Sequence, residues 1–196
     1  PTQPLVPSFV EEVYSENEER EIIYFLLKFA NQKLVINADH AEELSVAEFI
    51  IREIQNDNLE FKNLIYRKVF EDVLALIEKG IDVEERHFVY HEDTKVQELS
   101  VEIFTSRYEL SKVWKRKETY IETPGENLGV EVPKALLAYK NRIVSNAIKE
   151  LMEQIATHSS NGQEEKIASL QRKYMNLKEI HKDISKELGD RTITVL

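Results

Sequence analysis

Between Ser8 and Thr123 the chain carries no proline, and its apolar residues recur three and four positions apart, the period of helices facing a core. Ser15-Glu16-Asn17-Glu18 has the form of a capping box, in which a serine and the glutamate three residues on satisfy free backbone donors reciprocally. It predicts a first helix carrying Ile22, Ile23, Leu26, Leu27 and Ala30. Lys33 to Asp39 suits a short extended stretch. A second capping box, Ser45 to Glu48, opens a helix with Phe49, Ile50 and Ile54 that ends at Asn56-Asp57-Asn58. Phe61, Ile65, Val69, Phe70, Val73, Leu76 and Ile77 then form one broad apolar face, with Gly80 just past its end. Asp82 to Glu85 can cap a short helix through Phe88, and Asp93 or Thr94 can start another with Val96, Leu99, Ile103 and Phe104 inside. A last one carries Leu110, Val113 and Trp114, giving about six helices with short connections.

The pattern changes after Ile121 to Gly129, where one proline and two glycines make a turn or hinge. Pro133 suits the first turn of a helix, where its missing N–H costs nothing. Beyond it, Val132, Leu136, Tyr139, Ile143, Ala147, Leu151 and Ile155 make one long apolar seam. His158 to Gly162 is a turn signal, and a second seam follows with Ile167, Leu170, Tyr174, Leu177, Ile180, Ile184 and Leu188. Gly189 stands where a C-terminal cap would fall, and Arg191 to Leu196 reads as extended. Two long seams joined by a short turn describe an antiparallel helical hairpin. The fold class expected is therefore all-α, a multi-helix bundle over residues 16–120 followed by a hairpin over 121–196, with residues 1–15 as a linker remnant.

Composition sharpens that division. Of 17 aromatic residues only Tyr139 and Tyr174 lie beyond position 120, so the large rings that fill a compact core belong to the first part. Residues 1–120 carry 15 Lys and Arg against 25 Asp and Glu, whereas residues 121–196 carry 11 of each. The net charge of −10 thus resides in the first part, and it argues against general nucleic-acid binding, which needs cations to neutralise phosphates. No apolar run approaches the roughly 20 residues that cross a bilayer, the longest, Ile22 to Ala30, being broken by Lys28. Cysteine is absent, which removes disulfides, thiol nucleophiles and Cys-based zinc sites and fits an intracellular, cytoplasmic protein. The proline-rich start without Met suggests a piece of a larger protein.

No catalytic constellation emerges, and no cofactor or metal site is expected. His87 and His91 are four apart, but the run His-Phe-Val-Tyr-His lacks the glutamate of a zincin, and ordinary structural roles explain them better. No serine has a nucleophile-elbow context, and no two glycines lie close enough for a phosphate loop. Adjacent acidic pairs such as Glu42-Glu43 and Glu84-Glu85 point apart on a helix and suit solvated faces.

Two features suit binding. Lys112, Lys115, Arg116 and Lys117 surround Trp114, a cationic face beside an aromatic that can take an acidic peptide tail or a phosphate, or more simply a helix end complementing its dipole. On the last helix Lys173, Lys178, Lys182 and Lys186 stand beside Met175 and His181, as a docking face or as ordinary amphipathic surface.

Four stretches carry a family resemblance: Glu19-Arg20-Glu21-Ile22-Ile23 with Leu26-Leu27; Ser45 to Ile50; Tyr108-Glu109-Leu110-Ser111 ahead of Trp114; and Leu177-Lys178-Glu179-Ile180 running into Ile184 to Gly189. With them the chain, from Glu16 to Arg191, resembles the C-terminal domain of bacterial DnaG-type primases in a Bacteroidetes-like form. The resemblance implies a non-catalytic domain whose hairpin docks on the N-terminal domain of the hexameric replicative helicase, with the zinc-binding and polymerising domains of the parent primase elsewhere. It points to Tyr174, Met175, Lys178, His181, Lys182, Lys186 and Leu188 as helicase-binding residues. It also implies a site for the acidic tail of single-strand-binding protein, for which Lys112, Trp114, Lys115, Arg116 and Lys117 are the candidates. The rival reading is a self-assembling structural adaptor that dimerises through its hairpin.

Overall fold

A computed structural model describes residues 9–34, 44–105, 127–160 and 164–193. The protein is all-α, a helical bundle with a C-terminal antiparallel hairpin and, among the described residues, one two-residue strand pair. The bundle helices are α1 (Phe9–Phe29), α2 (Val46–Asn56), α3 (Leu64–Glu78), α4 (Glu85–Val89) and α5 (Thr94–Thr105), and the hairpin is α6 (Leu128–Ser160) with α7 (Glu164–Ile193). The strands β1 (Lys33–Leu34) and β2 (Leu44–Ser45) pair antiparallel, Lys33 opposite Ser45 and Leu34 opposite Leu44. The chain divides into two compact units. One runs from Glu19 to Leu136, and the other combines α1 as far as Glu18 with the chain from Leu137 onward.

In the first unit α1 is the central element. Ile22, Ile23, Tyr24, Phe25, Leu26 and Leu27 are all buried. Six consecutive buried positions exceed one helical turn, so the helix is surrounded on every side. At roughly 1.5–3 kcal/mol for each large apolar side chain, this segment is the main hydrophobic anchor of the unit. Polar side chains set what surrounds it. Arg20 pairs with Glu102 of α5 at 2.8 Å, and the Lys28 ammonium donates to the Phe104 carbonyl at 3.0 Å. Asn31 exchanges two 3.0 Å hydrogen bonds with the backbone of Val83, fixing the turn before α4.

α2 begins as its pattern predicts. The Ser45 hydroxyl accepts from the Glu48 N–H, and the Glu48 carboxylate accepts from the Ser45 N–H at 2.7 Å. It ends at Asp57, and Asn58 takes the left-handed conformation (φ 50°) that an asparagine tolerates. α3 is capped by the Asn63 side chain, which accepts from Ile65 and Tyr66. Phe61 is buried ahead of that cap rather than inside the helix, and Tyr66, not Ile65, faces the core beside Val69, Phe70 and Val73. Gly80, with φ 67°, closes α3 in a conformation that favours glycine. α4 packs on α5, which packs on α3, and Val96, Leu99 and Ile103 supply the buried face of α5.

Three helix ends differ from the sequence reading. α1 starts at Phe9 and passes through Ser15, so the Ser15–Glu18 box is helix interior. α6 starts at Leu128, five residues before Pro133, because Leu128, Val132 and Leu136 form one buried stripe and Asn127 supplies the first carbonyl, to Val130 and Glu131. α7 continues through Gly189 to Ile193, so Gly189 is not a cap and Arg191 to Ile193 is helical rather than extended. The helix expected to carry Leu110, Val113 and Trp114 lies outside the described residues.

Candidate functional site

The hairpin holds the described candidate residues. α6, with 33 residues, is about 50 Å long. The Ser185 hydroxyl of α7 donates to Asn141 Oδ1 of α6 at 3.5 Å. These two residues stand equally far before and after position 163, which sets the antiparallel register of the two helices.

Burial marks where each helix faces its partner. Along α7 the half-buried positions include Ile167, Leu170, Tyr174, Leu177, His181, Ile184 and Leu188, alternately three and four apart. That average of 3.5 residues is the coiled-coil repeat, and it keeps one seam facing a supercoiled partner. His181 therefore occupies the seam place assigned by apolarity to Ile180, which is 47% exposed. On α6 the matching positions are Ile148, Leu151, Ile155 and His158, with Ile148 buried in place of the expected Ala147 as the seam member.

Two zones follow along the hairpin. From Leu137 to Ile148 no residue of α6 is exposed. From Lys149 outward only the seam of each helix is covered, and no side chain of α7 reaches full burial among the described residues. The outer hairpin is thus a pair of helices held by a half-buried seam.

The residues proposed for helicase binding fall into two groups. Tyr174, His181 and Leu188 line the seam. Met175, Lys178, Lys182 and Lys186 are exposed, and the Lys178 ammonium lies 6.0 Å from the centre of the Tyr174 ring. Met152 of α6, 54% exposed, was not among the candidates, although it stands beside the seam at nearly the level of Met175, 65% exposed. A periodicity reading treats a single polar-face methionine as noise; only the register across two helices brings the pair together. Lys112, Trp114, Lys115, Arg116 and Lys117 lie outside the described residues.

The histidine pair weighed for metal binding has other work. His87 Nδ1 accepts from the Glu84 N–H at 3.2 Å, and His91 Nδ1 accepts from the Asp93 N–H at 2.9 Å, each closing a turn. His87 belongs to α4, whereas His91 lies beyond its end, so the two share no helix face. His91 Nε2 comes within 3.2 Å of Asp72. Among the described residues no group of three or more His, Cys, Asp or Glu is placed to hold a metal ion, and no helix is long and apolar enough to cross a membrane.

An all-α chain with an extended helical hairpin belongs by its architecture to a broad class of helical proteins. More narrowly, it belongs to the family described as a domain of unknown function, DUF8430, whose profile matches residues 9–192. No curated protein and no solved structure matches the chain.

Proposed function

We propose that this chain is a non-catalytic protein–protein docking domain of a replicative DNA primase, which holds the primase on the hexameric helicase and couples priming to unwinding. The observation that carries the reading is the outer hairpin. Its seam joins two long helices, while methionines and lysines outside the seam stay exposed on both. Exposed apolar side chains beside cations suit recognition of another protein's helix. The residues of α7 that carry the primase resemblance, Leu177 to Ile180 and Ile184 to Gly189, belong to this same helix. On this reading the domain is cytoplasmic, needs no cofactor and leaves nucleic acid to other parts of the parent primase. The single-strand-binding protein's acidic tail is a second partner, through Lys112 to Lys117.

Calorimetric titration of the full chain into the N-terminal domain of the cognate replicative helicase tests the reading. Saturable binding that Lys178→Glu with Lys182→Glu weakens by about tenfold supports it. Absence of binding, together with a stable dimer in sedimentation, rejects it in favour of a self-assembling adaptor.

A further inference from the structure

The two sides of the outer hairpin differ in chemistry. Met152 directly follows the seam residue Leu151, and Met175 directly follows Tyr174. One step past the seam turns a side chain about 100° around its helix, and in an antiparallel pair both helices turn that step toward the same flank. Met152 and Met175 lie eleven and twelve residues either side of position 163, so they stand on one flank at nearly one level. They are the chain's only two methionines.

The remaining positions directly after the seam complete this flank. From Lys149 to Ser159 and from Ala168 to Gly189 they include Lys149, Lys178, Lys182 and two exposed alanines, and no Asp or Glu. The opposite flank, made of the positions directly before the seam, mixes both signs, with Glu150, Asp183 and Glu187 against Lys166 and Lys173, and has Ile180 as its exposed large apolar side chain. In a chain of net charge −10, one surface therefore combines a methionine pair with a border of lysines on its side away from the α6–α7 connection, and has no acid at these positions.

We propose that this lysine-edged methionine flank of the α6–α7 hairpin receives an amphipathic helix with acidic margins from a partner protein. The inference deepens the docking reading and rests on it, naming the face used and the chemistry it accepts. Charge complementarity selects the occupant. A helix with basic margins would meet like charge, and a wholly polar one would leave both thioethers in water. Methionine side chains bend to fit an irregular apolar ridge, which suits them to a groove for another helix. The lysine stems extend the apolar surface while their ammonium groups remain at its edge.

The test uses the full chain with two probes. One is the N-terminal domain of the cognate helicase. The other is a pair of synthetic helical peptides sharing a leucine stripe, one edged with Glu and one with Lys. The expected result is binding of the Glu-edged peptide alone. Met152→Gln with Met175→Gln should weaken both that binding and helicase binding by about tenfold or more, while Asn176→Glu with Ile180→Gln on the opposite flank changes neither by more than roughly twofold. All substituted positions are exposed, so circular dichroism should show unchanged helicity. Helicase binding that is lost through the opposite flank, or equal binding of the Lys-edged peptide, overturns the flank assignment and leaves the docking reading standing. No helicase binding, with methionine-dependent capture of the Glu-edged peptide, rejects the primase reading and keeps the flank. A dimer that the methionine substitutions dissociate overturns the proposal, because the occupant is then a second copy.

Discussion

Glu19 is 2% exposed, and its carboxylate accepts from the backbone N–H groups of Lys62 and Asn63 at 2.8 and 3.0 Å. It holds the strand of chain that brings Phe61 into the core and leads into the Asn63 cap of α3. Removing it leaves two donors without their acceptor in a water-poor site. Hydrogen bonds to charged groups contribute about 1.5–3 kcal/mol each, so Glu19→Ala should cost roughly 3 kcal/mol or more in urea unfolding. A loss below about 0.5 kcal/mol would show the contact to be incidental. No reading of local pattern finds this residue, because its partners lie 43 and 44 positions away. Glu48 is the opposite case, legible because its partner is three residues distant. The Ser45 N–H, then the Ser45 hydroxyl, hold its carboxyl below the ordinary carboxylate range. The Lys68 ammonium does the same for Asp93, which also accepts from the Lys95 N–H at the start of α5. A depressed carboxyl contributes stability above its unfolded value and loses that contribution as pH falls through its folded value. Stability should therefore decline on acidification through and below the usual carboxylate range. Glu48→Ala should cost about 1 kcal/mol at neutral pH, and urea midpoints should converge with the parent's as pH drops toward 3. A constant gap across that range would show that the carboxylate charge plays no part in the cap.

At the scale of elements, the same signals succeed or fail according to what continues beyond them. Ser45–Glu48 and Ser15–Glu18 share one pattern, yet only the former starts a helix. Upstream of Ser45 lies a strand, whereas upstream of Ser15 lies FVEEVY, already helical, whose backbone carbonyls satisfy the donors that a cap would serve. Gly189 misleads in the same manner. A glycine after a long seam favours a left-handed cap, but α7 gains four more residues by continuing. Added Cβ atoms at Gly189 meet nothing within 4 Å. Gly189→Ala should therefore raise stability by about 0.5–1 kcal/mol, the ordinary gain of alanine over glycine inside a helix. Thermal unfolding followed at 222 nm decides it, since a capping glycine would give a loss instead. The exchange of Ile180 for His181 has a geometric cause. Apolarity favours isoleucine, but alternating three- and four-residue steps from Leu177 to Ile184 pass through 181. The fold class was legible because many apolar residues vote for each seam. The flank joining Met152 to Met175 was not, because it exists only once the register between two helices is known.

Across the molecule, burial is divided unequally, and that division predicts how each unit opens. In the unit from Glu19 to Leu136, α1 alone places six consecutive side chains out of water, and α2 adds Val46, Ala47, Phe49, Ile50, Ile51 and Ile54. In the other unit, α7 between Lys166 and Gly189 has only half-buried or exposed side chains, although it is longer than α1 or α2. Helices gain most of their stability from packing an apolar face rather than from propensity, and poorly packed elements open at lower free energy than the core. Amides of α7 should therefore exchange with deuterium through openings smaller than global unfolding, at least about 100-fold faster than those of Ile22 to Leu27 in α1. Equal protection in the two segments would mean that the hairpin and the core unfold as one cooperative body. The difference bears directly on docking. A helix covered along one seam loses little by offering a flank, and a partner seated there would supply the apolar cover that the chain itself withholds. Saturation with such a partner should slow α7 exchange while leaving the α1 core unchanged, because ligand binding raises the free energy only of openings that expel it. Slowing confined to α1 and α2 would place the contact on the bundle instead.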